Sequence, residues 1–301
     1  MENLSDIING TILGDASINL KNSKYGKYFY YKLTAKDKRF LEWVKNILQK
    51  FKINNSWITP ENNNFALHFY INNCPYPQFL SLRQIWYKRE NNKTIKTVPR
   101  DIELTPKILL FWYLGDGCLV RRKNDLNRVP TIVLATNCFS KVDIEFLIMK
   151  LKQLNLNFYP IKYKSGYTGK ESGQCLYSKT EDGTPLRFFK LIGLECPKEI
   201  ANCSTGRKGI YKEEKFFKDK WPTEEDWIKI LSNIKGVGTV LKNKRFTLRK
   251  TQKQLANLVD LSRESIKDVE RGRRNFSVKN FRKVLRVLDI GPSDLLKELV
   301  D

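Results

Sequence analysis

The sequence predicts an α+β protein built from two related halves and an all-helical tail, and three observations predict it. A segment near the start, Ile12-Leu13-Gly14-Asp15-Ala16-Ser17-Ile18, returns as Tyr113-Leu114-Gly115-Asp116-Gly117-Cys118-Leu119, a long-range pseudo-repeat. Each copy ends an apolar helical stretch, and the elements that follow it come in the same order, so that both halves read αββαββα. From Gly236 to Asp301 the pattern is helical throughout.

In the first half (residues 1–87), the helix ending at Asp15 is followed by strands at Ser17–Leu20 and Tyr28–Thr34. A helix spans Asp37–Lys50, where Phe40, Val44, Ile47 and Leu48 recur at helical spacing. Trp57–Ile58 is a short strand. In Asn64–Ile71, Phe65, Leu67, Phe69 and Ile71 alternate with Asn64, Ala66, His68 and Tyr70, as in a half-buried strand. A helix near Tyr76–Trp86 closes the half. Residues 88–103, basic, Asn-rich and aperiodic, read as a linker that either carries functional basic residues or is a solvated loop. The second half (104–200) repeats the order: a strand at Thr131–Thr136, a Ser-capped helix at Ser140–Leu154, strands at Phe158–Lys164 and Gln174–Ser178, and a helix at Pro185–Ile192. A connecting segment (201–235) is irregular to Pro222, after which Thr223 opens a helix with Glu224, Glu225 and Asp226 in its first turn.

The charge balance names the kind of partner. Lys and Arg total 55 against 32 Asp and Glu, a net charge of +23, while 41% of residues are apolar. That apolar content excludes a disordered basic tail, and a folded cationic surface calls for a polyanion. The longest apolar run, Ile108 to Leu114, is far short of the ~20 residues that span a bilayer, so no membrane partner is expected. No basic-then-apolar leader opens the chain. The expected location is the cytoplasm (nucleoid) or an organelle matrix, not the exterior. Six cysteines without a CxxC pair, and a single histidine, His68, exclude a zinc finger and argue against His-based triads and metal sites. Catalysis is left to carboxylates and lysines.

Asp15 and Asp116 stand where carboxylates are electrostatically odd, because a helix C-terminus carries about −0.5 of an elementary charge and favours Lys or Arg by ~0.3–1 kcal/mol. If the repeats pair about a pseudo-twofold axis, two carboxylates and two negative helix ends meet, which is costly unless divalent cations occupy the place. Gly10 and Gly14 permit the close helix contact. The second helix has Gly115 but bulky Phe111 where the first has Gly10, so the packing is expected to be asymmetric.

Two motifs, Ile8-Asn9-Gly10-Thr11-Ile12-Leu13-Gly14-Asp15-Ala16 and Leu109-Leu110-Phe111-Trp112-Tyr113-Leu114-Gly115-Asp116-Gly117, resemble the nine-residue motif of the LAGLIDADG homing endonucleases, in the single-chain branch with two motifs. Lys96-Thr97-Val98-Pro99, Leu104-Thr105-Pro106 and the stretch Ile132 to Ser140 extend the resemblance over most of residues 1–200. It implies two halves joined into a saddle that cuts both strands of a long asymmetric DNA site. Asp15 and Asp116, with Ala16 and Gly117 after them, would hold Mg²⁺, with DNA phosphates and water completing the octahedra. It also implies a lysine near each centre: Lys96 through Lys-Thr-Val-Pro, and Lys198, after Pro197, in the other half, where a direct alignment puts Asn202. The sheets of the saddle would read the major groove through Tyr28, Tyr30, Lys32, Thr34, Asn64, His68 and Tyr70. Arg121, Arg122, Lys123 and Arg128 would contact phosphates, which position without specifying.

The tail, residues 236–301, carries 16 Lys and Arg against 8 Asp and Glu. Thr251-Gln252-Lys253-Gln254 is a capping box opening a helix to Val259, Asp260-Leu261 is a turn, and Ser262 caps a second helix that Gly272 stops. Two short helices about a tight turn in a basic segment read as helix-turn-helix, and the stretch resembles the Cro and cI-like phage repressors. That resemblance places Gln252, Arg263, Glu264 and Asp268 near base edges, adds Lys267 to the DNA-facing helix, and makes Arg245 and Glu270 an internal ion pair. The sequence therefore reads as a monomeric, Mg²⁺-dependent, site-specific endonuclease for double-stranded DNA with an appended helix-turn-helix domain that lengthens the target or represses the gene. A transcriptional regulator on an inactive LAGLIDADG domain and an RNA-splicing maturase are the rival readings.

Overall fold

A computed structural model gives the fold and describes residues 3–23, 26–60, 67–72, 78–122, 125, 127–164, 171–205 and 214–300. Helix α1 (Leu4–Leu13) is followed by β1 (Ala16–Ser23), β2 (Gly26–Ala35), α2 (Lys38–Gln49), β3 (Ser56–Pro60), β4 (Leu67–Asn72) and α3 (Gln78–Trp86). A hairpin, β5 (Tyr87–Glu90) and β6 (Lys93–Lys96), leads to α4 (Pro106–Asp116), β7 (Gly117–Val120), β8 (Thr131–Ala135), α5 (Lys141–Gln153), β9 (Phe158–Lys164), β10 (Glu171–Ser178) and α6 (Thr184–Ile192). Helices α7 (Glu224–Ser232), α8 (Val237–Thr247), α9 (Gln252–Val259), α10 (Arg263–Glu270), α11 (Val278–Leu288) and α12 (Pro292–Val300) complete the chain.

The αββαββα order thus holds twice. The sheets have matching strand orders, β1-β2-β4-β3 and β7-β8-β10-β9. Expected strand residues 64–66 lie outside the described residues. One expectation is corrected: part of the aperiodic linker is the β5–β6 hairpin. Asn91 and Asn92 turn it at φ 47° and 60°, the positive dihedrals that a two-residue hairpin demands and that Asn tolerates.

The chain divides into two compact units, residues 1–118, 133–177 and 191–221 in the first and residues 119–132, 178–190 and 222–301 in the second. The whole helical tail, residues 236–301, falls within the second of these units. Within the second unit Asp226 of α7 accepts from Arg121 Nε at 2.7 Å, Arg282 of α11 pairs with Glu225, and Lys190 donates to the carbonyl of Leu299. No helix among the described residues is long and apolar enough to cross a membrane.

In the first unit, α1 and α4 form the central pair. Asn3 caps α1 through Ser5 N at 3.1 Å. Thr105 caps α4, with Pro106 preset for its first turn, and its hydroxyl donates to Asp6 at 2.8 Å, tying the two helix starts together. Ile7, Ile8, Ile12, Leu13, Leu109 and Trp112 are buried along the pair. Gly10 makes the notch: a Cβ there would stand 2.7 Å from Ile108 O and 2.8 Å from Phe111 Cβ, so Phe111 fills the space, as the expected asymmetry requires. Gly10→Ala should cost about 1–3 kcal/mol by overpacking, read as a lower melting temperature; an unchanged melt would contradict this packing.

The first sheet lays one face on that core. Tyr31, Leu33, Phe69 and Ile71 are buried, and Tyr31 Oη donates to Thr11 Oγ1 at 2.9 Å. Phe40, Leu41, Val44, Ile47 and Leu48 make the buried stripe of α2, as the helical spacing predicts.

Candidate active centre and nucleic-acid interface

The C-terminal ends of α1 and α4 meet at Gly14 and Gly115. A Cβ on Gly14 would lie 3.2 Å from Gly115 Cα; one on Gly115 would lie 3.0 Å from Asp15 N and 3.6 Å from Asp15 Oδ2. A methyl group at either glycine would push the two ends apart by a few tenths of an ångström. The Asp15 carboxylate consequently lies against the last turn of α4, whose final residue is Asp116, so two acids and two negative helix ends share one neighbourhood.

A lysine answers each helix end. Lys96 Nζ is 3.4 Å from the carbonyl of Gly14, and Lys220 Nζ donates to the carbonyls of Tyr113 at 3.2 Å, Leu114 at 2.6 Å and Gly115 at 3.3 Å. Gly14 and Gly115 are equivalent positions of the repeat, so the arrangement is pseudo-symmetric. Three carbonyls around one nitrogen match the three donors of a lysine ammonium. Lys96 differs. Burial lowers its pKa from the usual lysine value, with the charges of Cys138, Asp116 and Asp15 opposing that shift.

The hairpin delivers Lys96. Trp86 is fully buried and its Nε1 donates to Asn9 Oδ1 at 2.9 Å. Thr97 N donates to Trp86 O at 2.8 Å, and Ile18 N donates to Tyr87 Oη at 3.1 Å. Lys220 ends a single 3-10 turn, Phe217–Lys220. Tyr113 Oη donates to its carbonyl at 2.5 Å, and the next residue, Trp221, donates from Nε1 to Gly193 O at 2.9 Å.

Lys220, which the sequence did not single out, is the lysine found at the end of α4, where Lys198 was expected. Lys198 is exposed, and Asn202, the aligned alternative, is exposed with its carbonyl taken by Arg39 at 2.9 Å. The overlooked signal is Lys220-Trp221-Pro222, a lysine shortly before proline as in Lys96-Thr97-Val98-Pro99, with one residue fewer between.

The donors suit a hard divalent cation: two carboxylates and backbone oxygens, with Ala16 and Gly117 opening the strands that follow each acid. Among the described residues no group of three or more His, Cys, Asp or Glu could hold a metal ion.

In the second unit, α9 and α10 are joined through Asp260 at φ 58°, a left-handed cap. Leu261 N closes the turn on Ala256 O at 2.9 Å. The capping box is present, Gln254 N to Thr251 Oγ1 at 3.1 Å and Thr251 N to Gln254 Oε1 at 2.8 Å. Arg245 and Glu270 are 3% and 7% exposed and pair in a fork, Nε to Oε1 at 2.6 Å and Nη2 to Oε2 at 2.9 Å. Gln252 Nε2 is tied to the same carboxylate at 2.8 Å. Arg263 and Glu264 stand exposed at the start of α10, with Lys267 half-buried one turn on.

Residues 5–184 match the LAGLIDADG DNA endonuclease family and residues 241–295 match a helix-turn-helix family. The chain belongs to the LAGLIDADG DNA endonuclease family. It is 31% identical over 160 residues to the uncharacterized protein MJ1098 of Methanocaldococcus jannaschii, covering 51% of this chain and 57% of that protein. It is 23% identical over 194 residues to the cytochrome b mRNA maturase bI2 of Saccharomyces cerevisiae, covering 61% of this chain and 43% of the maturase. The chain thus spans about half the length of these relatives. A solved structure of the homing endonuclease I-WcaI bound to its DNA recognition sequence is 21% identical with a TM-score of 0.46, covering 64% of this chain and 83% of that one.

The strand register shows which residues of this LAGLIDADG chain share the sheet face opposite the core. Tyr30 lies across from Asn19, Lys32 from Ser17 and Tyr70, and Thr34 from His68. Trp57, across from Tyr70, joins them unforeseen: it is 43% exposed and stacks on Tyr70 at 5.6 Å between centroids. His68 is buried, with Nδ1 3.1 Å from Thr34 Oγ1, so its ring is a packed member of that face. Tyr28 belongs to β2, but its side chain, Asn64 and Lys123 lie outside the described residues. Arg122 and Arg128 are exposed, whereas Arg121 is held in the ion pair with Asp226.

Proposed function

We propose that the chain is a site-specific homing endonuclease that acts as a monomer on double-stranded DNA, each acidic helix end serving one strand. The observation that carries this reading is the pair of lysines at the touching ends of α1 and α4, Lys96 at the Gly14 carbonyl and Lys220 at the Tyr113, Leu114 and Gly115 carbonyls, where the acids Asp15 and Asp116 follow. A divalent cation beside each carboxylate, Mg²⁺ in this reading, would supply Lewis acidity at the scissile phosphate and acidify an attacking water. Lys96, whose ammonium is disfavoured by burial, accepts a proton at Nζ. Lys220, fixed by three carbonyls, keeps a positive charge near the charge that develops on phosphate. The polar face bearing Tyr30, Lys32, Thr34, Tyr70 and Trp57 reads the groove, and Arg122 and Arg128 hold phosphates.

The decisive experiment is incubation with a plasmid carrying the native insertion locus. Linear product with Mg²⁺ and none with chelator is expected. Tight specific binding without cleavage would establish the regulator instead. The likeness to the bI2 maturase favours one second reading, an RNA-splicing role, and splicing of a precursor RNA without DNA cleavage would establish that.

The helix-turn-helix contributes base contacts in this reading. A side chain pairing a base edge is worth about 1–3 kcal/mol. Arg263→Ala should therefore weaken target affinity roughly 10- to 100-fold in a gel-shift titration, and unchanged affinity would remove α10 from the DNA.

A further inference from the structure

Each half of the molecule holds the strap that carries the other half's lysine. Lys96, which meets the end of α1, sits two residues before Val98, and Val98 N donates to Asp143 Oδ1 at 3.3 Å. Arg100 Nη2 donates to the same oxygen at 2.8 Å, and Ser140 Oγ donates to Oδ2 at 2.7 Å. Asp143, 1% exposed, is in the first turn of α5, in the second half.

The reciprocal arrangement uses α2, the equivalent helix of the first half. Its cap, Asp37, accepts Ser204 N on Oδ2 at 2.7 Å. Arg39 is bound to Asp37, Nη2 to Oδ2 at 2.6 Å, and reaches Asn202 O at 2.9 Å. Its hydrogen bond holds the Asp37 carboxyl below the usual range. Ser204 is bridged to Phe216, Phe217 N donates to Cys203 O at 3.0 Å and Lys218 N to Ala201 O at 3.1 Å. Phe217 also stacks on Phe40 of α2 at 4.7 Å. Three residues after Phe217 comes Lys220, which meets the end of α4.

We propose that Asp143 and Asp37, with Arg100 and Arg39, are positioning residues that set Lys96 and Lys220 crosswise, so that the centre ending each half depends on the other half for its lysine. The proposal rests on the endonuclease reading. It explains why a buried carboxylate occupies the α5 terminus: that helix start needs a cap, which Ser140 already supplies, whereas the Val98–Arg100 strap needs an acceptor.

The test is strand-resolved nicking of the end-labelled insertion locus with Mg²⁺. Lys96→Met and Lys220→Met first establish which strand each lysine serves. Asp143→Asn should then slow the Lys96 strand, by roughly 10²-fold if the lysine shifts by about 1 Å, and Asp37→Asn should slow the Lys220 strand. Arg100→Met and Arg39→Met, whose side chains are 49% and 61% exposed, are milder variants that should give the same two biases. The ratio of the two nicks does not depend on how much protein has folded. Equal slowing of both strands, or biases opposite to those stated, overturns the crosswise assignment while leaving the endonuclease reading intact. Failure of the unmodified chain to cut either strand overturns both.

Discussion

Asp116→Asn and Asp15→Asn are each expected to abolish the double-strand break while DNA binding persists. Asparagine keeps the shape and loses the anionic oxygen that a hard cation selects. With metal chemistry worth several kcal/mol at the phosphate, linear product should fall on the order of 10³-fold. A gel shift on the same locus checks that affinity is retained. Removing a negative charge from a helix C-terminus is not itself damaging, since the macrodipole disfavours it there, so loss of cleavage with retained binding separates chemistry from folding. A variant that still linearises the plasmid at the wild-type rate would take that acid out of the reaction.

Lys96→Met and Lys220→Met carry the second large effect, and they should differ in kind. Proton transfer by a positioned group contributes about 10²–10⁴-fold. Burial favours the amine of Lys96, so the wild-type rate should climb with pH and level off below the range of an ordinary lysine. Lys96→Met should lose that rise along with the rate. The same shift has a stability sign: the unfolded chain binds this proton more tightly than the folded one, so the penalty is fully present below the folded pKa and is relieved as pH rises through it. Lys220→Met removes a cation bonded to three carbonyls, and should cost rate at every pH. Lys198→Ala should cut normally. Rates across pH for the three variants check this, and a Lys198→Ala loss matching that of Lys220→Met would restore the assignment made from sequence.

What could be read in advance follows from where the physics is local. A helix, a Gly-Asp end and a strand following it are fixed by near neighbours, so the repeat and its two acids were legible, as were the Thr251 capping box and the Asp260 turn. The alternation in β4 correctly put Phe69 and Ile71 on the core face. It put His68 on the other face too, but alternation is silent on whether a ring there is exposed or, as here, buried and bonded to Thr34. Short basic strands such as β5 and β6 have no apolar face to alternate, which hid their hairpin. Lys220 was hidden because its approach to α4 depends on the pairing of residues 201–205 with 215–218 and on stacking of Phe217, long-range terms that leave no period in the sequence. The ion pair of Arg121 left no local signal because its partner, Asp226, is more than a hundred residues away.

The central claim is that the carboxylates of Asp15 and Asp116 hold the cations that cut the two strands. Anomalous diffraction from crystals of the chain with its DNA target in Mn²⁺ tests it most directly. The account predicts density bound by the Asp15 and Asp116 carboxylates and by scissile phosphate oxygens. Cut DNA in the crystal with anomalous density bound elsewhere, and none at these two acids, would contradict it.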